Sequence, residues 1–407
     1  YYNQLKEEIL KFWKGEAEDD EETLKKYSRD ASIFEVFPKL VLFPKDSEDI
    51  KNLVKWVSNN KDKYEGLSIT PRCAGTDMSG GAIGESIILD FTRHMNKVLS
   101  YPTKNHPYIT VQPGMFYRDF EKITLENDLI LPCYTASKSL NTLGGMYGNN
   151  SAGERTLKYG NTEKHVVSSK VVFSNGGEYF IKSLNSSELK EKISSNTFEG
   201  NIYKNIFEML KNNKEIIERA KPKVHKNSAG YYLWNIEENI KEEKYFNFNK
   251  LLVGSQGTLG MATEITFKLV PDLKHSKLVV IFIKDLEPLG RLVDEILIAK
   301  PETLESYDDK TIKLATRFFF DFLKNKGIIN MVKFMWSFLP EFAMFLRGGF
   351  PNLVILAEFA GENEREVNKK CLNLINKIKE FKLETRITKS EAEANKYWDI
   401  RRESFAL

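Results

Sequence analysis

Short apolar runs alternate with longer amphipathic stretches through most of the 407-residue chain. Runs rich in Val, Ile, Leu and Phe predict strands, and stretches with a period near 3.6 predict helices. The predicted strands are 40–43, 67–71, 86–90, 108–111, 166–174, 178–182, 251–254, 264–269, 277–283, 302–307, 353–359 and 384–388. The predicted helices are 47–59, which Ser47 is expected to cap, 117–127, 289–300 and 364–381. This alternation predicts an α+β protein.

The same pattern divides the chain into regions. Residues 1–35 are charged and predict a helical arm, whose acidic run 16–22 is typical of a solvated turn or helix start. Residues 36–273 form the main α/β region, and residues 274–407 contain two β-α-β halves that predict a ferredoxin-like sheet. An insertion at 311–347, rich in Phe and interleaved with Lys and Arg, splits those halves.

The insertion leaves two alternatives open. Lys333 and Glu341 interrupt its apolar run, which excludes a membrane-spanning helix. Its aromatic side chains could pack on the protein itself, or they could rest on a membrane surface with the basic residues facing the headgroups.

Composition excludes several classes of function. The chain has 60 basic and 57 acidic residues, a net charge of +3, which indicates no nucleic-acid footprint. Cys73, Cys133 and Cys371 lie far apart, so local spacing predicts no zinc or iron–sulfur site, and a reducing cytoplasm fits best. The five histidines form no metal-binding pair and offer no convincing general base.

Half of the 24 glycines lie in three short loops: the first glycine loop (71–84), the second (144–160) and the third (254–260). Glycine lets backbone N–H groups crowd a ligand, so such loops after strands indicate phosphate binding. The first loop matches neither the P-loop pattern nor the G-x-G-x-x-G pattern of a Rossmann site. Three loops together predict one extended ligand, such as a dinucleotide or flavin.

Three blocks carry a family resemblance: P-R-C-A-G-T-D-M-S-G-G at 71–81, S-K-S-L-N-T-L-G-G-M-Y-G-N-N-S-A-G at 137–153, and G-S-Q-G-T-L-G-M-A-T-E at 254–264. In this order they resemble the FAD-binding domain shared by vanillyl-alcohol oxidase and p-cresol methylhydroxylase (PCMH). The branch they resemble more closely holds D-lactate dehydrogenase, the glycolate oxidase flavin subunit, D-2-hydroxyglutarate dehydrogenase and alkyl-dihydroxyacetone-phosphate synthase. The resemblance implies a two-subdomain FAD-binding domain followed by a ferredoxin-like cap domain.

The resemblance also implies which residues bind FAD. The first block would wrap the pyrophosphate, the second would approach the pyrophosphate and isoalloxazine, and the third would contact the adenine end and the flavin edge. The implied residues are Arg72, Cys73, Ala74, Gly75, Thr76, Asp77, Met78, Ser79, Ser137, Thr142, Gly145, Asn149, Asn150, Ser151, Ala152, Gly153, Gly257, Thr258, Leu259, Gly260 and Ala262.

Two positions depart from the family pattern. Thr76 stands where relatives with histidyl-flavin carry His, so the FAD is expected to be noncovalent. Gln256 stands where many relatives have Glu, and it keeps a hydrogen-bonding side chain without the charge.

The segment Y-W-D-I-R-R-E at 397–403 resembles the W-x-x-R helix of 2-hydroxy acid dehydrogenases. The resemblance implies that Arg401 binds the substrate carboxylate, a task suited to its planar fork of donors. The metal-binding segment H-x-G-[DN]-G-N-x-H of these relatives is not in the sequence, which suggests a chain truncated at its C-terminus. A divalent metal is therefore expected only in a longer protein, and the general base stays unassigned.

The implied activity is oxidation of a D-2-hydroxy acid such as D-lactate or glycolate, by hydride transfer from C2 to flavin N5. Electrons would pass to a quinone, cytochrome or protein acceptor, in the cytoplasm or at the inner face of a membrane contacted through 311–347. Two alternatives remain open: a flavin-dependent transferase resembling alkyl-dihydroxyacetone-phosphate synthase, and an electron-transfer subunit without its own substrate site.

Overall fold

Two units are built from separate stretches of chain. The computed structural model describes residues 2–224, 227, 230–240, 242–311 and 351–403. The first unit comprises Tyr1–Gly153 and Tyr159–Asp272, and the second comprises Glu154–Lys158 and Leu273–Leu407. Almost all of the predicted insertion at 311–347 lies outside the described residues.

The first unit begins with a small sheet whose central strands are fully buried. Its elements are α1 (Tyr2–Leu10), β1 (Glu16–Glu18), α2 (Glu21–Tyr27), β2 (Leu40–Phe43), α3 (Ser47–Asn60), β3 (Ile69–Arg72) and β4 (Ile87–Asp90). The strand order is β1-β2-β4-β3, with β4 parallel to both β2 and β3. Helix α3 packs Ile50, Leu53 and Val57 against these strands. The first glycine loop therefore begins at the end of β3, in a sheet that is held by this packing.

One local prediction in this region was partly right and another was wrong. The acidic run 16–22 contains the predicted helix start, since α2 begins at Glu21, but its first residues form a strand. Part of the acidic run forms β1, because its backbone pairs with β2 while Arg93 forms ion pairs with Glu16 and Glu18. Asp46 rather than Ser47 caps α3, and its carboxylate accepts from the backbone N–H groups of Glu48 and Asp49.

The second part of the first unit is a larger antiparallel sheet. Its elements, with one short helix that begins in the second unit, are β5 (Val98–Ser100), β6 (Tyr108–Val111), α4 (Tyr117–Leu125), β7 (Leu129–Ile130), α5 (Leu143–Gly148), α6 (Thr156–Tyr159), β8 (Val166–Val172), β9 (Glu178–Asn185), α7 (Ser186–Ser194), α8 (Phe198–Asn212), α9 (Lys214–Ala220), β10 (Glu237–Ile240), β11 (Glu243–Asn247), α10 (Asn249–Leu252), β12 (Met261–Lys268) and β13 (Val270–Pro271). The order is β10-β11-β9-β8-β12-β6-β5, and β7 pairs with β13 separately.

The third glycine loop lies between α10 and β12, so it starts from a helix. The prediction of a strand at 251–254 was wrong, because Leu251 and Leu252 belong to the short helix α10 and are both buried. An apolar run that is buried on all sides carries no periodicity that separates a strand from a helical turn. The predicted hairpin is confirmed as β8 and β9, with Gly176 at φ 69° in its turn.

The second unit is a split β-α-β sheet. Its elements are β14 (His275–Ile283), α11 (Leu289–Ile298), β15 (Thr303–Asp308), β16 (Leu353–Gly361), α12 (Glu364–Lys377), β17 (Glu384–Ile387) and α13 (Glu391–Glu403). The order β15-β16-β14-β17 is the one expected of a ferredoxin-like fold. One face of the sheet packs against α11 and α12, and the other contains Tyr397 and Trp398 of α13.

Candidate functional site

A cavity of about 720 Å³ lies where the three glycine loops of the first unit meet. Its volume falls within the range of pockets that bind small molecules and cofactors. The lining residues are Pro71, Arg72, Cys73, Ala74, Gly75, Thr76, Asp77, Met78, Ser79, Gly81, Ala82, Phe91, Pro113, Thr135, Ser137, Asn141, Gly144, Gly145, Met146, Tyr147, Gly148, Asn149, Ser151, Gly230, Tyr231, Gly254, Ser255, Gln256, Gly257, Thr258, Gly260, Met261 and Ala262. Chain segments far apart in sequence therefore share one site.

The first glycine loop offers backbone donors to this cavity. Within the described part of the chain, no acceptor takes a hydrogen bond from the five consecutive N–H groups of residues 74–78. The loop is shaped instead by Asp77, whose Oδ2 accepts from Ser79 Oγ at 2.8 Å and from the Gly81 N–H at 2.7 Å. Residues 74–77 are half-buried and Met78 is exposed, so a ligand rich in acceptor oxygens suits these N–H groups.

Arg72 lines the cavity, but its guanidinium supports the loop from within. It donates to the carbonyl oxygens of Arg29 at 2.8 Å, Ala82 at 3.1 Å and Tyr27 at 3.4 Å. It also lies over the Tyr27 ring, 5.0 Å from the centroid. A Cβ on Gly75, at φ 66°, would overlap the guanidinium, so glycine permits the loop to close over it.

The second glycine loop approaches the first through α5. Thr142 caps this helix, and its Oγ1 accepts from the Gly145 N–H at 3.2 Å. A Cβ on Gly144 would lie 2.7 Å from the Pro113 carbonyl oxygen and 2.9 Å from the Cys73 sulfur. The absence of a side chain at 144 therefore allows the close packing of the two loops.

The third glycine loop is hydrogen-bonded to the second. The Gly254 N–H donates to the Tyr147 carbonyl at 2.9 Å, and the Gln256 N–H donates to the Gly148 carbonyl at 2.9 Å. A Cβ on Gly257, at φ 78°, would overlap the ring of Pro71 at the start of the first loop. The third loop thus contacts both of the others.

A chain of polar side chains forms another part of the wall. Asn141 Nδ2 donates to Thr135 Oγ1 at 2.7 Å, and Thr135 Oγ1 lies 2.9 Å from Ser137 Oγ. When the Thr135 hydroxyl donates its hydrogen bond to Ser137 Oγ, the Ser137 hydroxyl is left to donate to a ligand in the cavity. These three side chains precede the second glycine loop, and only Ser137 was expected from the sequence.

Few ionisable groups line the cavity. In the described chain they are Arg72, Cys73, Asp77, Tyr147 and Tyr231, with no lysine or histidine among the lining residues. Burial raises the pKa of the Cys73 thiol to about 12 and also raises the pKa of Tyr147, which keeps both groups protonated. An anionic ligand here must depend largely on backbone and side-chain dipoles.

Most of the residues expected to contact the cofactor line the cavity. The exceptions are Thr142, Asn150, Ala152, Gly153 and Leu259. Three of these have clear structural roles: Thr142 caps α5, Asn150 Oδ1 accepts from the Glu163 N–H at 3.0 Å, and Gly153 packs where a Cβ would overlap the Tyr134 carbonyl.

Several lining residues were missed by sequence reasoning. Gly81, Gly144, Gly148 and Gly254 lie within the same glycine loops, so the clustering of glycine could have found them. Phe91, Thr135, Gly230 and Tyr231 come from other segments, and only the tertiary fold brings them to the cavity.

Arg401 lies on α13, in the second unit. Its Nη2 donates to Glu305 Oε2 at 2.9 Å and its Nε donates to the same oxygen at 3.2 Å. Both side chains are mostly buried. The guanidinium of Arg401 is therefore held by a carboxylate on β15.

The described residues contain neither a membrane-spanning helix nor a cluster of metal ligands. Among them, no helix has the length and apolar character needed to cross a membrane. No cluster of three or more His, Cys, Asp or Glu side chains in the same part of the chain could hold a metal ion.

The residues around the cavity fit FAD. The row of N–H donors in the first loop suits a pyrophosphate, and the neutral polar wall suits the hydrogen-bonding edges of a flavin ring. The glycines let the three loops pack against one another without side chains between them, and the cavity that the loops enclose has room for an extended ligand.

Two regions of the chain are similar to domains of known proteins. Residues 38–180 match the model of an FAD binding domain, and residues 273–407 match the C-terminal domain of FAD linked oxidases. The chain is 24% identical over 359 residues to D-2-hydroxyglutarate dehydrogenase from Pseudomonas putida, covering 88% of this chain and 34% of that protein. It is 28% identical over 290 residues to glycolate oxidase subunit GlcD from Bacillus subtilis, covering 70% of this chain and 49% of that protein.

Solved structures share the fold. Alkyldihydroxyacetonephosphate synthase superposes with a TM-score of 0.68 at 17% identity, covering 99% of this chain and 64% of that one. p-Cresol methylhydroxylase with substrate bound superposes with a TM-score of 0.62 at 14% identity, covering 97% of this chain and 68% of that one. The chain thus spans about a third to a half of the length of the two sequence relatives above. Its two matched domains, which together cover most of the chain, show that it belongs to the family of FAD-linked oxidases, and its fold is the one seen in p-cresol methylhydroxylase.

Proposed function

We propose that the protein binds FAD noncovalently in the cavity between the three glycine loops. The observation that carries the proposal is the run of N–H donors at residues 74–78, which faces no protein acceptor in the described chain. The proposed contacts are the expected residues that also line the cavity: Arg72, Cys73, Ala74, Gly75, Thr76, Asp77, Met78, Ser79, Ser137, Gly145, Asn149, Ser151, Gly257, Thr258, Gly260 and Ala262.

The proposed reaction is the oxidation of a D-2-hydroxy acid at C2. It is supported by relatives named D-2-hydroxyglutarate dehydrogenase, glycolate oxidase subunit and D-lactate dehydrogenase, at 24–28% identity. Bound FAD would supply the two-electron acceptor for this oxidation. The protein would supply the position of the substrate and the charge that holds it.

Arg401 is the proposed carboxylate-binding residue. Its helix, α13, is fixed by Tyr397 and Trp398, which are buried against the sheet of the second unit. Glu305 Oε2 accepts from the Nε and Nη2 groups, which sets the plane of the guanidinium. A fixed plane favours two parallel hydrogen bonds to a carboxylate.

The electron acceptor is proposed to be a quinone, a cytochrome or a partner protein, with the protein placed in the cytoplasm. The three cysteines, Cys73, Cys133 and Cys371, are all free thiols, which is in keeping with a reducing compartment.

Peripheral contact with a membrane through 311–347 is also proposed. Co-sedimentation with anionic liposomes tests it, and a protein that stays in the supernatant would rule the contact out.

Anaerobic reduction of the bound flavin tests the reaction. The FAD-loaded chain is mixed with D-lactate, glycolate or D-2-hydroxyglutarate, and the visible flavin absorption is followed over time. At least one of these three 2-hydroxy acids should bleach the flavin absorption, whereas L-lactate should not. If none of them reduces the flavin, the flavin-dependent transferase or the electron-transfer subunit becomes the better account.

A further inference from the structure

Tyr231 lines the cavity with its ring open to the surroundings. Three aromatic residues of the described chain line this cavity: Phe91, Tyr147 and Tyr231. Phe91 is 3% exposed and Tyr147 is 5% exposed, so both rings are packed in the core, whereas Tyr231 is 46% exposed. Tyr231 is therefore the aromatic residue of the described cavity wall that has a ring face available to a ligand.

The backbone before Tyr231 explains why its ring lies at the surface. Gly230 has a φ of 71°, in the left-handed region that glycine adopts without a steric penalty. The next residue, Tyr232, is only 6% exposed, although it has the same side chain. The turn at Gly230 thus directs one of two adjacent tyrosines to the cavity and the other to the interior.

The hydroxyl of Tyr231 is fixed by the third glycine loop. It lies 2.7 Å from Thr258 Oγ1, and Thr258 Oγ1 donates to the Ser255 carbonyl oxygen at 2.6 Å. Because a threonine hydroxyl has a single hydrogen, the Tyr231 hydroxyl is the donor to Thr258. A ring that is held at its far end loses little further freedom when a planar ligand stacks on it.

The surroundings of Tyr231 suit adenine better than a flavin ring. The hydroxyl hydrogens of Tyr231 and Thr258 are both used within the protein, so neither is left for a ligand. The isoalloxazine edge needs hydrogen-bonding partners, which the wall of Thr135, Ser137 and Asn141 offers. Stacking of a base on an aromatic side chain depends on the ring faces and does not require hydrogen bonds to the base edge.

We propose that Tyr231 is the platform on which the adenine of FAD stacks, and that it gives the site a preference for FAD over FMN. The inference rests on the proposed FAD site. FMN has the flavin ring but no adenine, so a residue that contacts only the adenine contributes to the binding of FAD alone. Tyr231 is in this sense a specificity-determining residue.

The test measures the Kd of three ligands for the full chain, stripped of flavin, by titration calorimetry. FAD and ADP contain the adenine, whereas FMN does not. Tyr231→Leu removes the aromatic face and keeps an apolar side chain. It should raise the Kd of FAD and of ADP by about tenfold, the usual size of one base–aromatic stack, and leave the Kd of FMN within about twofold of wild type.

Two further variants serve as controls. Tyr231→Phe keeps the ring and removes the hydroxyl, so its Kd for FAD should stay within about threefold of wild type. Tyr101→Leu makes the same change as Tyr231→Leu at a tyrosine that is 65% exposed and does not line the cavity. It should bind all three ligands as wild type does.

The outcomes separate the role of the ring from a structural role. An equal rise in Kd for all three ligands in Tyr231→Leu, a rise for FMN alone, or an unchanged Kd for FAD would each overturn the proposal. If Tyr231→Leu does not fold, as judged by circular dichroism, a loss of FAD affinity of about tenfold in Tyr231→Phe overturns it, because the ring is still present there. A wild-type chain that binds none of the three ligands would defeat the proposed FAD site itself.

Discussion

Arg401 and Glu305 are 96 residues apart in sequence, yet the guanidinium donates from Nη2 at 2.9 Å and from Nε at 3.2 Å to one carboxylate oxygen. A guanidinium has five N–H donors in a planar fork, so holding one edge fixes the direction of the others. Glu305 therefore acts on the orientation of Arg401 within the second unit.

Replacing Arg401 with Ala should raise the KM for a D-2-hydroxy acid by about tenfold to about a hundredfold, since a hydrogen bond to a charged group contributes about 1.5–3 kcal/mol. Steady-state kinetics with an artificial electron acceptor measure the change. Arg291→Ala is the matched control, because Arg291 is exposed in the same unit and pairs weakly with Glu380 at 3.5 Å. An unchanged KM in Arg401→Ala would remove this residue from the substrate site.

Gly257→Ala should weaken FAD binding, because the new Cβ would push the third glycine loop away from Pro71. Gly66→Ala serves as the control: Gly66 has φ 72°, close to the 78° of Gly257, but has open space around its Cβ position. Both variants incur the left-handed penalty, so their difference isolates the overlap, which typically costs about 1–3 kcal/mol. We expect Gly257→Ala to raise the Kd of FAD by about tenfold and Gly66→Ala to leave it unchanged. Equal Kd values in the two variants would contradict the prediction that the contact between Gly257 and Pro71 supports FAD binding.

Acid precipitation of the FAD-loaded protein should leave the flavin in the supernatant. Thr76 offers no imidazole for a covalent bond, and burial raises the pKa of the nearby Cys73 thiol to about 12. A thiol that stays protonated is a poor nucleophile. Flavin absorbance in the washed protein pellet would show a covalent link, and Cys73→Ser would then identify whether sulfur forms it.

Glu358→Gln should stabilise the protein increasingly as pH rises. Burial raises the pKa of Glu358, Glu154 and Glu302 add to the effect, and Arg155 opposes it. The folded state therefore holds this proton more tightly than the unfolded state, whose Glu pKa is about 4.3. Stability is present below that value and is lost as pH rises through the raised pKa of the folded state. The Tm difference between variant and wild type, measured at several pH values, should grow from acid to neutral pH.

Glu364→Gln is the control of opposite sign. A hydrogen bond from Lys277 lowers the pKa of Glu364, so its carboxylate stabilises the folded state above the unfolded pKa and loses that effect as pH falls. This variant should be slightly less stable than wild type at neutral pH. A Glu358→Gln difference that does not change with pH would show that Glu358 titrates normally.

Local sequence was sufficient for much of the secondary structure. The Asn175-Gly176-Gly177 turn predicted the β8–β9 hairpin, because the chemistry of a tight turn is contained in a few adjacent residues. The order of strands and helices in the second unit was also predictable, since each has its own apolar period. Residues 251–254 were assigned to the wrong element because burial on every side removes that period.

The sequence by itself determined the kind of ligand, through three glycine loops whose composition suits close backbone approach to phosphate. Only the tertiary structure decided which residues meet at the cavity, since Phe91, Thr135 and Tyr231 reach it from segments with no shared local pattern. It likewise decided that Arg72 supports its loop from within and that Arg401 pairs with Glu305. Contacts between distant segments depend on how sheets and loops pack in three dimensions, and neither composition nor periodicity records that packing.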